Sequence, residues 1–226
     1  MTETPSQRKK VYVALLNQGT TTASLEAKLI EWMVAKKDKY ECRLFLPASR
    51  PISTNRNEVA RDFLAGDWDY LFFFDDDVLP HKNPFDLLDL ELPVVGGVYP
   101  GRDLKGLHFH VYKFGEGMPS PIKLLSYPSE SREGLQQVDS VATGCMAIHR
   151  SVLEKIGPAP FLELMNDNGE CMTSDDISFC WRCKENDIPV YAHWDHICSH
   201  FKFVDLLHMM DLIVKASQTG VARASV

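Results

Sequence analysis

The strongest constraint on this chain lies at positions 70–80, where large apolar residues run directly into three carboxylates: Tyr-Leu-Phe-Phe-Phe-Asp-Asp-Asp-Val-Leu-Pro. Such an apolar run is typical of a strand buried on both faces, as in a parallel sheet. Burying three charges without a cation would cost too much free energy. Asp75, Asp76 and Asp77 are therefore expected at the carboxyl end of the strand, where open α/β sheets bind ligands. Hard oxygen ligands favour Mg²⁺ or Mn²⁺, ions that usually also bind a substrate's phosphates.

The three aspartates also allow a plainer interpretation, an acidic loop that caps the following helix, because Asp is a common helix cap. Side chains alternate along an extended chain, so Asp75 and Asp77 are expected to point the same way. Two carboxylates on one side can share a metal, or divide metal and sugar contacts between them.

The pattern of apolar residues predicts an α/β domain that begins β-α-β, an arrangement that favours a parallel sheet with right-handed crossovers. Strands are predicted at Val11–Leu16, Cys42–Leu46, Tyr70–Phe74, Val94–Tyr99 and Pro189–Ala192, and further regular structure at Val138–Ile148. Helices are predicted at Ser24–Lys36, Arg56–Ala65, Leu87–Leu90, Ser151–Gly157 and Val204–Ala216, and one opens at Ser174. Residues 100–135 are rich in Gly, Pro and Ser, which indicates loops or a hairpin of the kind that carries substrate specificity.

Length and charge restrict the class of protein. The 226 residues fit one α/β domain, or one domain with a small subdomain. The net charge of −7 argues against a nucleic-acid partner, which would require a basic stripe. No segment reaches the ~18 apolar residues of a membrane span, and residues 1–10 lack an apolar signal region. The chain is therefore expected to be soluble and cytoplasmic, and its oligomeric state is left open.

Six cysteines are expected to be reduced thiols, because no secretory signal is seen. Cys180 and Cys183 have CxxC spacing, which raises the possibility of zinc. A structural zinc site usually pairs two such knuckles, and this single one lies within a helical pattern, so zinc is the less favoured interpretation.

Three further features indicate a chemical function, and each of them also has a purely structural explanation. Gly144, between apolar stretches, predicts either a close backbone approach to a ligand or a plain turn. The acidic pair Asp175-Asp176 at a helix start either complements the helix dipole or supplies a general base. The late cluster His193, His196 and His200 is either structural or completes a metal shell.

In their order along residues 10–200, these features resemble the GT-A glycosyltransferases. The aspartate run is similar to that family's DxD motif, the Gly144 segment to its acceptor loop, the acidic pair to its xED motif, and the late histidine to its C-terminal histidine. The segment Asn55-Arg56-Asn57 is similar to the family's Arg-Asn element near the nucleotide. The small form also resembles glycosyltransferase domains of large DNA viruses of chlorella, which implies the host cytoplasm.

The resemblance implies a role for each matching residue. The implied metal ligands are Asp77 and His200, and Asp75 contacts the metal or the ribose. On the donor side, the nucleoside contacts are Asn17 and Gln18, Arg56 and Asn57 lie near the nucleoside or diphosphate, and Asp76 reaches the donor sugar. On the acceptor side, Gly144 admits the acceptor and Asp176 is the base. This chain departs from the family in having Asp175 where Glu usually stands, which leaves open which acid acts. His196 is an alternative metal ligand to His200.

The resemblance implies a single domain over residues 1–226, with a GT-A (Rossmann-like), mostly parallel sheet flanked by helices and a small acceptor-side hairpin or loop region. Residues 10–100 form its nucleotide-binding half, residues 101–216 its acceptor-binding half, and residues 217–226 a tail. The implied reaction moves a sugar from a nucleoside-diphosphate sugar, usually a UDP-sugar, to a hydroxyl of a glycan or other acceptor, with Mn²⁺ or Mg²⁺ and with inversion.

Other functions stay open at this point. Transfer with retention needs no acceptor base, and a non-catalytic domain would bind the nucleotide sugar without turnover. A sugar-1-phosphate nucleotidyltransferase is disfavoured, because the loop after the first strand, Asn17-Gln-Gly-Thr-Thr-Thr, offers no Lys or Arg to a triphosphate.

Overall fold

The computed structural model describes residues 8–17, 23–48, 51–103, 106–115, 124–127, 131–202, 209–211 and 214–215. Gln18, the tail at residues 217–226 and most of the predicted helix at Val204–Ala216 lie outside these residues. Met209–Asp211 and Val214–Lys215, which fall within that predicted helix, are helical.

The described residues form fifteen strands, four α-helices and a 3₁₀ helix. The strands are β1 Lys9–Leu16, β2 Tyr40–Phe45, β3 Tyr70–Asp75, β4 Val78–Pro80, β5 Val94–Val98, β6 Pro100–Asp103, β7 Gly106–Phe109, β8 Val111–Phe114, β9 Leu124–Ser126, β10 Leu135–Val138, β11 Ser140–Val141, β12 Cys145–His149, β13 Leu164–Met165, β14 Cys171–Thr173 and β15 Val190–His200. The helices are α1 Ala23–Ala35, α2 Ile52–Ala65, α3 Arg150–Ile156 and α4 Asp175–Glu185, and the 3₁₀ helix is Pro84–Leu90.

The central sheet has the strand order β10-β15-β5-β12-β3-β1-β2, and β4 pairs with the far end of β15. Strands β2, β1, β3, β5 and β15 run in one direction, and β12 and β10 run against them. The carboxyl ends of the five co-directed strands therefore meet at one edge, which we call the carboxyl edge. From β6 to β9, where the sequence predicts loops or a hairpin, the strands form two small antiparallel pairs, β6-β7 and β8-β9, and β11 joins the second pair beside β8.

The central strands are buried on both faces, as the apolar run predicts. Phe72 and Phe74 belong to the core on one side of the sheet, and Phe72 packs edge-on against Phe85 at 5.4 Å. Phe73 belongs to the core on the other side and packs against Phe161, also at 5.4 Å. Alternate side chains of one strand thus support two separate helix layers.

Several predicted boundaries are wrong. Helix α1 is Ala23–Ala35, so it begins and ends one residue before the predicted bounds. The cap of α3 is His149, whose ring accepts the Ser151 amide, so Ser151 is the second helical residue. Helix α2 begins four residues before the predicted Arg56, directly after Pro51.

The largest boundary error is at the last strand. The predicted Pro189–Ala192 is observed as Val190–His200, because a register shift after His193 lets the strand continue and pair with β4. The histidine-rich stretch is therefore strand. No helix in the described part of the chain is both long and apolar enough to cross a membrane.

Candidate functional site

The carboxyl edge of the sheet holds a cavity of about 290 Å³. Asn17 follows β1, Asp75 ends β3, Tyr99 follows β5, and His200 ends β15, and all four line the cavity. The start of α4 adds Asp176 to the lining. Residues from distant parts of the sequence converge here because their strands run in the same direction.

Asp77 and His200 face each other because β4 and β15 pair. The register places His200 opposite Val78, the residue after Asp77. His200 Nε2 lies 3.4 Å from Asp77 Oδ2, while Nδ1–H donates to the Pro100 carbonyl at 2.8 Å. A backbone acceptor on one ring nitrogen fixes the tautomer and directs the other nitrogen toward the carboxylate, as is usual for a metal-binding histidine.

The Asp77 carboxylate is held in its charged form. Burial raises the pKa of Asp77, but hydrogen bonds from His200 and Lys202 outweigh burial and lower the pKa below its usual value. Lys202 Nζ lies 2.5 Å from Asp77 Oδ2. The hydrogen bond to Asp77 in turn raises the pKa of His200 against the opposing effect of burial. A positive charge is therefore favoured beside Asp77.

Arg56 connects the acidic strand to the acidic helix start. Its Nη1 donates to both oxygens of Asp175, at 2.9 and 2.8 Å, and its Nη2 to both oxygens of Asp75, at 3.0 and 3.1 Å. The side chains of Arg56 and Asp175 are only 6% and 5% exposed. Burial lowers the pKa of Arg56, but the carboxylates of Asp75, Asp175 and Asp176 raise it more, so the guanidinium stays charged.

Asp176 has both a local role and an open face. Its Oδ1 accepts the Ile177 amide at 2.8 Å and also a hydrogen bond from the Ser174 hydroxyl, so it contributes to the start of α4. Its side chain also lines the cavity. Burial raises the pKa of Asp176 although nearby Arg56 opposes the rise. A carboxylate with a raised pKa in a cavity is suited to accept a proton.

Gly144 is explained by Tyr99. The Gly144 amide donates to the Tyr99 hydroxyl oxygen at 2.9 Å. A Cβ at position 144 would lie 2.6 Å from that oxygen and 2.9 Å from Val78 Cγ2. The close approach that the sequence predicts for a ligand is thus made here by a side chain. Burial raises the pKa of Tyr99 well above its usual value, which keeps its hydroxyl protonated.

The structure brings together Asn17, Arg56, Asp75, Asp76, Asp77, Asp176 and His200, which line one cavity, with Asp175 bound behind Arg56. It does not bring Asn57 to the cavity, because the Asn57 amide group is hydrogen-bonded to the backbone of Phe161 in both directions. His196 also lies outside the lining, with its ring 4.8 Å from that of His193. Among the histidines, the geometry favours His200 as a ligand.

Three lining residues with polar or charged groups are absent from the sequence prediction: Tyr99, His110 and Lys202. Tyr99 ends a predicted strand, so the rule that pointed to Asp75 could have found it. His110 lies in the stretch predicted as loops, where its ring packs over Gly101 and 5.5 Å from the Tyr99 ring. Nothing in the sequence signals Lys202.

The donor set fits a hard divalent cation only in part. No group of three or more His, Cys, Asp or Glu that could hold a metal occurs among the described residues. Asp77 and His200 supply two facing ligands, and the bond from His200 to Pro100 is the supporting contact that such a ligand needs. Mg²⁺ and similar ions are commonly held by one or two protein ligands plus phosphate oxygens, and two ligands satisfy that pattern.

Comparisons with known proteins support the fold. The structure of A197 from STIV matches with a TM-score of 0.57 and 21% identity, over 86% of each chain. GalNAc-T7, crystallised with UDP, GalNAc and Mn²⁺, matches 88% of this chain and 44% of its own at a TM-score of 0.49 and 10% identity. An inositol-1-phosphate CTP transferase from T. maritima matches 86% of this chain and 89% of its own, at 0.39 and 12%. No family model and no curated protein sequence matches.

The likeness to A197 shows the fold alone. The predicted α/β fold, with a largely parallel sheet between helices, is confirmed.

Proposed function

We propose that this protein is a metal-dependent glycosyltransferase that moves a sugar from a nucleoside-diphosphate sugar to an acceptor hydroxyl with inversion. The observation that carries the proposal is the facing pair Asp77 and His200 at the carboxyl edge, in the cavity that Asp176 also lines. The GT-A resemblance implies a UDP-sugar as the donor to test first.

The charge of the cavity supports a bound cation. Five aspartates line the cavity or lie directly behind its lining, against two basic side chains, Arg56 and Lys202. A diphosphate would be repelled by such a site, since like charges at short range are unfavourable. A divalent cation on Asp77 and His200 reverses the local charge and makes diphosphate binding favourable.

The remaining roles follow from position. Asp77 and His200 would hold Mn²⁺ or Mg²⁺, and the ion would supply positive charge against the diphosphate. Asn17 lies at the end of β1 as a nucleoside contact, and Asp76 reaches the sugar. Asp75 is left out of the metal set, because both of its oxygens accept hydrogen bonds from Arg56.

Asp176 performs the proton transfer. It takes the proton from the acceptor hydroxyl as that oxygen bonds to the anomeric carbon, and the bond from this carbon to the diphosphate oxygen breaks. Attack on the face opposite the leaving group inverts the anomeric configuration. The Ser174 hydroxyl and the Ile177 amide orient the Asp176 carboxylate for this step.

The test is a turnover assay over a panel of nucleotide sugars and simple glycan acceptors with Mn²⁺. Release of nucleoside diphosphate by the wild type, its loss in Asp77→Asn and Asp176→Asn, and its retention in Asp89→Asn are expected. Asp89 is the matched control, because it pairs with Lys36 and Lys39 away from the cavity. An NMR spectrum of the product shows inversion or retention.

Other outcomes reject the proposal in distinct ways. A retained anomeric configuration removes the base role of Asp176. Release of pyrophosphate from a nucleoside triphosphate and a sugar 1-phosphate identifies a nucleotidyltransferase. Metal-dependent binding of nucleotide sugars without turnover on any acceptor identifies a binding domain.

A further inference from the structure

We propose that Arg56 is a positioning residue, which holds the base-bearing start of α4 against the acidic end of β3, and is not a ligand of the nucleotide. The proposal rests on the function proposed above, since it takes Asp176 as the base. It replaces the nucleoside or diphosphate contact that the sequence resemblance implies for Arg56.

The hydrogen bonds of Arg56 carry the argument. Each terminal nitrogen of the guanidinium donates to both oxygens of one carboxylate, Nη1 to Asp175 and Nη2 to Asp75. Arg56 lies on α2, so one buried side chain ties together α2, β3 and α4. A planar fork of this kind fixes the angle between its partners as well as their distance.

The burial of Asp175 makes it unfavourable for Arg56 to give up its hydrogen bonds to this carboxylate and bind a phosphate group instead. Its side chain is only 5% exposed, so moving Nη1 to a ligand would leave a buried carboxylate unpaired. Arg56 Nε is also buried and has no hydrogen-bond partner among the described residues. The guanidinium is therefore oriented so that both carboxylates accept its hydrogen bonds, while its third nitrogen, Nε, makes none with the described residues.

The same contact places a positive charge beside the base. Asp176 is the next residue after Asp175, and the groups that face it are Arg56 from α2, Tyr99 from the end of β5, and Asp175 and Cys180 from its own helix. Arg56 stabilises the charged form of Asp176, and Asp175 destabilises it. Removal of Arg56 or of Asp175 should therefore change the Asp176 pKa in opposite directions.

The experiment follows the Asp176 carboxyl carbon by ¹³C NMR as a function of pH, assigned by its loss in Asp176→Asn. In Arg56→Met the pKa of Asp176 should rise, in Asp175→Asn it should fall, and in Arg56→Lys it should stay near the wild-type value. Arg150→Lys is the matched control. Arg150 also anchors α2, through the carbonyls of Leu64 and Gly66, but at the other end of the helix.

Steady-state kinetics supply the second readout. Arg56→Lys keeps the charge and loses the fork, so kcat should fall ~10²-fold through misplacement of the base, with the donor KM within about threefold of wild type. Arg150→Lys should leave both parameters unchanged. If Arg56 binds the nucleotide instead, Arg56→Lys raises the donor KM and leaves kcat unchanged, which overturns the proposal.

The two proposals fail separately. The NMR titration needs no substrate, so it tests the contact between Arg56 and the start of α4 even if no sugar transfer is found. An unchanged Asp176 pKa in Arg56→Met overturns the positioning role while leaving the transferase proposal in place. If Arg56→Met does not fold, the kinetic comparison of Arg56→Lys with Arg150→Lys decides the question.

Discussion

The two edges of the central sheet carry similar numbers of charged residues but pair them differently. At the amino edge, where the co-directed strands begin, lysines meet acids in pairs that are exposed or half-exposed: Lys9 with Glu91, Lys10 with Asp67, Lys36 with Asp86 and Asp89, and Lys39 with Asp89. At the carboxyl edge, acids outnumber bases, and buried Arg56 is shared by two carboxylates.

This difference separates scaffold from site. Ion pairs that solvent reaches contribute little to stability, and because their charges are balanced they need no ligand to neutralise them. An excess of partly buried carboxylates is unfavourable unless something outside the chain balances it. The comparison therefore favours the carboxyl edge as the place of the function proposed above, and each prediction below tests one side of it.

The largest expected effect is at Asp176. Asp176→Asn removes the proposed base while keeping the Oδ1 that accepts the Ile177 amide, so kcat should fall ~10²–10⁴-fold. Its melting temperature should rise, because burial raises the pKa of Asp176 and the charged form is therefore unfavourable in the folded state at neutral pH. Assay and calorimetry of the same preparation check both. If the variant keeps the wild-type activity, Asp176 is not the base.

The next effect is on stability at the shared ion pair. Arg56→Met leaves Asp175 buried without its partner, which should lower the free energy of unfolding by ~3–5 kcal/mol. The comparison is Lys10→Met at the amino edge, where the pair with fully exposed Asp67 should contribute far less to stability. Urea unfolding measures both. Equal losses would show that the two edges do not differ in the way described.

A smaller effect is expected where Gly144 meets Tyr99. Gly144→Ala places a methyl group 2.6 Å from the Tyr99 hydroxyl oxygen and 2.9 Å from Val78, so the variant should lose ~1–3 kcal/mol of stability by overpacking. The double variant Gly144→Ala with Tyr99→Phe should recover part of the loss, since the nearest clashing atom is removed. Thermal unfolding of the single and double variants checks this, and no recovery would place the strain at Val78.

The smallest effect is expected at Asp89. Its replacement by Asn should lower stability, whereas the same replacement at Asp176 should raise it. Burial raises the pKa of Asp89, but hydrogen bonds from Tyr40, Lys36 and Lys39 outweigh it and lower the pKa to about 2. Its stabilisation is thus present above the unfolded pKa of ~3.9 and is lost as pH falls toward 2. Asp89→Asn should cost ~1 kcal/mol or less at pH 7, because solvent reaches and screens these half-exposed pairs. Urea unfolding at pH 7 and pH 3 should show the difference shrinking, and a gain in stability at pH 7 would contradict this pairing.

The sequence predicts those features of the two edges that depend on the local pattern of residues. The apolar run predicts a strand buried on both faces, and the structure has it, with Asp75 as its last residue. The helix predicted to open at Ser174 is confirmed, with Ser174 at its N-cap and Asp175 as the first residue of α4. Both follow from periodicity and from the chemistry of single residues.

What the sequence could not predict depends on pairing between distant strands. Lys202 and His200 reach Asp77 only because β15 extends beyond its predicted end and pairs with β4. Arg56 reaches Asp175, 119 residues away, only after α2 and α4 pack on the same side of the sheet. Asn57 has the right residue type beside Arg56, but its helix turns it toward Phe161.

The central claim is that the carboxyl edge binds a nucleoside diphosphate through a divalent cation held by Asp77 and His200. Titration calorimetry with UDP, with Mn²⁺ and then with a chelator, tests it most directly in wild type, Asp77→Asn and Asp89→Asn. The account predicts binding by wild type and Asp89→Asn only with Mn²⁺, and none by Asp77→Asn. Binding that is unchanged by the chelator, or by the loss of the Asp77 carboxylate, would contradict it.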